Sequence, residues 1–114
     1  MVRLMEEYKV VVTSDADRDM DEIFAYVSEK LRAPGTAMNL IERMYTALNL
    51  LSEMPECHPL SRDTFLAKQG FRLLRLDNYL AFYVVDKDAM QVVIHRVIYG
   101  KRNYVKLFLA DGQS

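Results

Sequence analysis

The residues best suited to chemistry in this sequence are cations set among tyrosines in its second half. Arg72 and Arg75 lie on one apolar run, Arg96 lies on another, and Lys101, Arg102 and Tyr104 follow Gly100. Tyr79, Tyr83 and Tyr99 are close to them in sequence. Guanidinium and ammonium groups hold phosphate oxygens and tyrosine rings stack on bases, so such a cluster suits a nucleic acid. The alternative is ion pairing with the acidic first half, together with the usual basic residues of strand edges. Residue types alone do not choose between these readings.

Other chemistry is poorly represented. There is no phosphate loop, dinucleotide fingerprint or HExxH, and Gly35, Gly70, Gly100 and Gly112 are scattered. Cys57 and His58 are adjacent while His95 is remote, which is not the paired spacing of a zinc site. No metal and no cofactor are expected. Asp15, Asp17, Asp19, Asp21 and Glu22 form an acidic run where a helix begins. A solvated N-terminus that complements the helix dipole explains it, and contact with a basic partner is the alternative.

The elements that must position these residues follow from periodicity. Residues 8–13 are β-branched and read as a strand. Ser14 is the expected N-cap of a first helix, whose apolar positions Ala16, Met20, Ile23, Phe24, Val27 and Leu31 recur at helical spacing. Ala33-Pro34-Gly35 breaks it, and Thr36 is the expected cap of a second helix ending at Pro55. Leu50, beside Leu51, widens the apolar stripe of that helix and is expected to be buried. Residues 55–69 look irregular. Runs 71–76, 79–85 and 91–98 read as an antiparallel meander, with Asp77-Asn78 at hairpin spacing. Alternation puts Arg72 and Arg75 on opposite faces and Arg96 in the same set as Val92 and Ile94. Residues 103–109 are expected to form a short helix or an added strand.

Helices grouped together, not alternating with strands, indicate an α+β fold: a small antiparallel sheet with a two-helix hairpin packed on one face. The other face is then available, and function is expected there. The 114 residues make one domain, and a hydrophobic fraction of 51% with a net charge of −1 excludes disorder. The single cysteine requires no oxidising compartment, and no run approaches a membrane span, so a cytoplasmic protein without a membrane partner is expected. The near-zero net charge conceals a split, with a balance of −5 over residues 1–56 and +4 over residues 57–114.

Tyr8-Lys-Val-Val-Val-Thr-Ser-Asp-Ala-Asp-Arg-Asp-Met-Asp-Glu-Ile-Phe-Ala-Tyr-Val, the 37–51 helix ending at Met54-Pro55, Gly70-Phe71-Arg72, Asn78-Tyr79-Leu80-Ala81-Phe82-Tyr83 and the stretch from Arg96 to Tyr104 occur in an informative order. Over residues 8–108 they resemble the RelE/ParE superfamily of bacterial toxin–antitoxin toxins. The resemblance implies a cognate antitoxin protein as partner. It also implies an activity, with the RelE-like one as the expectation and the ParE-like one as its alternative. RelE-like members are ribosome-dependent mRNA interferases, which here makes Arg72, Arg102 and Tyr104 the catalytic candidates and Arg96, Tyr99 and Lys101 the contacts to ribosome-bound mRNA. Leu80 stands where such toxins place an arginine, and Phe108 stands near the place of a catalytic tyrosine. ParE-like members inhibit DNA gyrase without nuclease activity. Their tail pattern, Arg-Val-x-His-x-Arg-Arg-Asp, is met by Arg96, Val97, Lys101 and Arg102, with Tyr99 for the His and Asn103 for the Asp. A third reading is an attenuated toxin that mainly binds its antitoxin.

Overall fold

The structure, a computed structural model, describes residues 7–100, so the helix or strand expected over 103–109 lies outside the described residues. Strand β1 (Lys9–Val12) leads directly into helix α1 (Ser14–Ala25). Thr13, one residue ahead of the expected cap, makes the transition. Its Oγ1 accepts a bond from the Ala16 amide at 3.1 Å and donates to the His95 carbonyl, also at 3.1 Å. The helix continues as a wider π turn over Tyr26–Lys30 and stops at Arg32, whose φ of 51° is left-handed. Helix α2 (Pro34–Asn49) then starts on Pro34 itself, where the missing amide costs nothing, instead of on a Thr36 cap. A 3₁₀ turn over Leu50–Ser52 follows.

α1 buries Ala16, Met20 and Ile23, and α2 buries Ala37, Leu40, Met44 and Leu48. These side chains meet Leu74, Leu76, Ala81, Tyr83, Val92, Ile94 and Val97 of the sheet to form the main core. Leu51 is 1% exposed and joins them, whereas Leu50, expected inside, is 61% exposed. The 3₁₀ turn explains this reversal, because its tighter winding rotates successive side chains away from the α-helical stripe.

Strands β2 (Arg72–Leu76), β3 (Tyr79–Asp86) and β4 (Gln91–Tyr99) form the expected antiparallel meander. Asp77, at a φ of 58°, turns the first hairpin, and Met90, at 55°, helps turn the second. The strand order is β1-β4-β3-β2, and β1 pairs with β4 in parallel, so the sheet is mixed and not wholly antiparallel. The helical hairpin lies between β1 and the meander, and no tight turn ties the direction of β1 to that of a neighbour.

Two further features depart from the sequence reading. Helix α3 (Thr64–Lys68) sits inside the stretch read as irregular, capped by Asp63, which accepts from the Leu66 amide at 3.0 Å. Leu66 is fully buried and packs with Leu80, Phe82, Ile98, Phe71 and Leu73 on the sheet face away from α1 and α2. That face, expected to be available, is therefore apolar and covered at its centre. The second departure is a β-bulge. Phe82 pairs with Arg96 and Tyr83 with Ile94, leaving His95 as an extra residue. Beyond it the alternation of β4 inverts: Val92, Ile94 and Val97 share the helix-side core, and Ile98 lies in the opposite cluster. Arg96 is thus out of phase with Val92 and Ile94, contrary to the simple alternation.

Candidate functional site

Of the six residues singled out from the sequence, Arg72, Arg96 and Tyr99 are described, while Lys101, Arg102 and Tyr104 lie outside the described residues. The described three do not converge. Arg72 stands opposite Tyr83 and Tyr99 opposite Tyr79, four residues apart along β3, or roughly 13 Å. Arg72 shares the helix-side face with its partner Tyr83, and Arg96 pairs with Phe82 of the other face.

Both arginines hold parts of the protein together. β1 covers the edge of β4 only as far as Ile94, and Asp19 of α1 takes over beyond it. Its carboxylate accepts from Arg96 Nε at 2.7 Å, Arg96 Nη2 at 3.0 Å and the Val97 amide at 2.9 Å. This is a two-pronged guanidinium–carboxylate contact, with side chains only 17% and 11% exposed, that clamps helix to strand. Arg72 fastens the loop that precedes α3. Its Nη1 donates to the His58 carbonyl at 2.7 Å, and its Nη2 lies 3.6 Å from Glu56 Oε2, which Lys87 also approaches at 3.2 Å.

The hydroxyl of Tyr83 donates to the Pro55 carbonyl of the same loop at 2.8 Å. Burial, reinforced by nearby Cys57, pushes this phenol up to about 12. Tyr83→Phe is expected to lower stability by about 1–2 kcal/mol, because the Pro55 carbonyl loses its donor while the ring still fills its place. Urea unfolding of both proteins measures the difference, and equal midpoints would remove the hydroxyl from the loop's support.

Cys57 is exposed, and the His58 ring meets Tyr83 edge-on at 6.5 Å. His95 packs edge-on against Phe71 at 5.2 Å, and burial pushes its pKa down, opposed by Asp15. Among the described residues no group of three His, Cys, Asp or Glu is placed to hold a metal.

Tyr99 lies instead in a cleft of about 560 Å³. One wall is the C-terminal part of α1 and its π turn, with Asp19, Glu22, Ile23, Tyr26 and Leu31. The other is the hairpin end of β3 and β4, with Asn78, Tyr79, Val97, Ile98 and Tyr99. Tyr79 and Tyr99 pack edge-to-face with ring centres 5.8 Å apart. Burial raises the Tyr79 pKa, and the neighbouring Tyr26 and Tyr99 phenols add to the shift. Next to the cleft, the Gly100 amide donates to the Asn78 carbonyl at 2.8 Å, and a Cβ on Gly100 would stand 3.2 Å from that oxygen. The exit of the chain from β4 is therefore closely fixed. Sequence reasoning had Asp19 and Glu22 in the acidic run but missed Tyr26, which lines the cleft with them. The available signal was their helical spacing with Ile23, which puts all four on one side of the helix.

Two solved structures share this architecture. One, from the chromosomal ParDE toxin–antitoxin system of P. aeruginosa, superposes with a TM-score of 0.67 at 18% identity, covering 82% of this chain and 97% of the other. The other, from the RelBE2 toxin–antitoxin complex of Mycobacterium tuberculosis, gives 0.56 at 24% identity, covering 82% and 98%. No curated protein sequence matches the chain significantly. A mixed four-stranded sheet backed by a helical hairpin is the fold of the RelE/ParE toxins. Within that superfamily, residues 10–104 match the family described as the ParE toxin of the parDE type II toxin–antitoxin system, and the chain belongs to it. It is a toxin of a type II system.

Proposed function

We infer that the toxin works by binding, as a ParE-like inhibitor of DNA gyrase without nuclease activity, and that a cognate antitoxin holds it inactive. The observation that carries this reading is the internal use of Arg72 and Arg96. RNA cleavage without a His or Glu base depends on cations aimed at the phosphate where charge develops. Arg72 instead grips the His58 carbonyl and Glu56, and Arg96 grips Asp19 at the edge of β4. The family match supports the same choice. The binding element in this reading is Tyr99 with Lys101, Arg102 and Tyr104, which follow Gly100 in the sequence. Among the described residues no helix is long and apolar enough to cross a membrane. Gyrase places the proposed action in the cytoplasm.

The deciding experiment runs a gyrase supercoiling assay beside a translation reaction with primer extension on its mRNA. The expected result is inhibited supercoiling with intact mRNA, and loss of that inhibition in Arg102→Ala. Cleaved mRNA with unaffected gyrase would overturn this reading in favour of a RelE-like ribosome-dependent interferase. Inactivity in both assays would leave an attenuated toxin that mainly binds its antitoxin.

A further inference from the structure

The cleft beside Tyr99 has a chemical character opposite to that of a phosphate site. Among the described residues that line it are the carboxylates of Asp19 and Glu22 and no basic side chain. Asp19 is already satisfied by Arg96 and the Val97 amide. Glu22 is exposed, and its side chain has no ion pair among the described residues. Around it stand Tyr26, Leu31 and Tyr99, each about half exposed, with the more buried Tyr79 behind. Large exposed apolar side chains gathered at one concavity mark an interaction surface. A carboxylate among tyrosine rings favours a cation, which gains from the charge and from the ring faces together. The aliphatic wall of Ile23 and Leu31 favours hydrocarbon on either side of that cation.

We propose that this cleft receives a segment of the antitoxin that carries an arginine or lysine flanked by aliphatic residues. The proposal rests on the toxin–antitoxin reading above and adds where the antitoxin binds and with what chemistry. Position supplies a reason for inhibition. Tyr99 lines the cleft, so an occupant here covers the described residue of the element assigned to gyrase. The acidic run at the start of α1 extends the same field toward a basic segment.

The test measures the affinity of the full toxin for its co-expressed, purified antitoxin by calorimetry at two salt concentrations. Glu22→Arg is expected to weaken the complex by at least about tenfold, and Tyr26→Ala by about fivefold. Glu22→Gln keeps the shape and is expected to reduce the salt dependence. An arginine-to-glutamate change in the antitoxin segment should restore binding to Glu22→Arg. Unchanged melting temperatures of the toxin variants separate these effects from misfolding. Full affinity in both Glu22 variants would overturn the cleft assignment while leaving the toxin–antitoxin reading intact. Failure of the wild-type toxin to bind the antitoxin would overturn that reading itself, and the proposal with it. A toxin that dimerises alone and becomes monomeric on Glu22→Arg would assign the cleft to a second copy and also overturn the proposal.

Discussion

Asp19→Ala is expected to lower the stability of the toxin by about 3 kcal/mol and its melting temperature by roughly 10–15 °C. The size follows from what the substitution leaves behind. The guanidinium of Arg96 and the amide of Val97 lose a shared acceptor at a place where little water reaches them. Losing one partner of a buried pair costs far more than an exposed ion pair contributes, because a desolvated charge remains. The double variant Asp19→Ala/Arg96→Met provides the control, since it removes both charges of the pair together. It should cost clearly less than Asp19→Ala. Thermal unfolding of the two variants checks the order. A loss below about 1 kcal/mol for Asp19→Ala would place the contact among ordinary surface pairs.

The second large effect separates two adjacent leucines. Leu51→Ala should cost about 3 kcal/mol, through lost burial and the cavity left under the sheet. Leu50→Ala should change stability by less than about 0.5 kcal/mol, since that side chain is mostly in water. A helix-wide apolar stripe would make the two equivalent. The 3₁₀ turn makes them opposites, and chemical unfolding of both variants distinguishes these cases. Similar losses at the two positions would show that Leu50 is covered in solution.

What could be read from the residues was what depends on near neighbours. The strands of the meander were placed to within about a residue, because Arg72–Leu76, Tyr79–Asp86 and Gln91–Tyr99 alternate and Asp77-Asn78 marks the turn between the first two. The 3-4 spacing of Met20, Ile23 and Val27, and of Leu40, Met44 and Leu48, identified the helical hairpin in the same way. Features set by distant contacts were not legible. The direction of β1 depends on a strand some eighty residues away. α3 has five residues, fewer than two turns, and shows no period. The extra residue at His95 has no mark of its own, yet it inverts every side chain after it. The candidate site suffered most from this. Arg72 bonds to a backbone carbonyl, which no residue type announces, and Arg96 finds its partner 77 residues back along the chain. The charge split between the halves was real, and part of it is neutralised by that one contact.

The parallel pairing of β1 with β4 also sets the order in which the toxin can be built. Val12 and Ile94, partners across that pairing, are 82 residues apart in sequence. At about 5–20 residues per second of synthesis, β1 waits roughly 4–16 s for its neighbour to be made. β1 is therefore paired long after it is translated, and so large a loop to close makes for slow folding. β4 is also the strand that joins β1 to β3, so a nascent chain that stops before Gln91 lacks the link that makes one sheet of them. The complete sheet arrives late in translation.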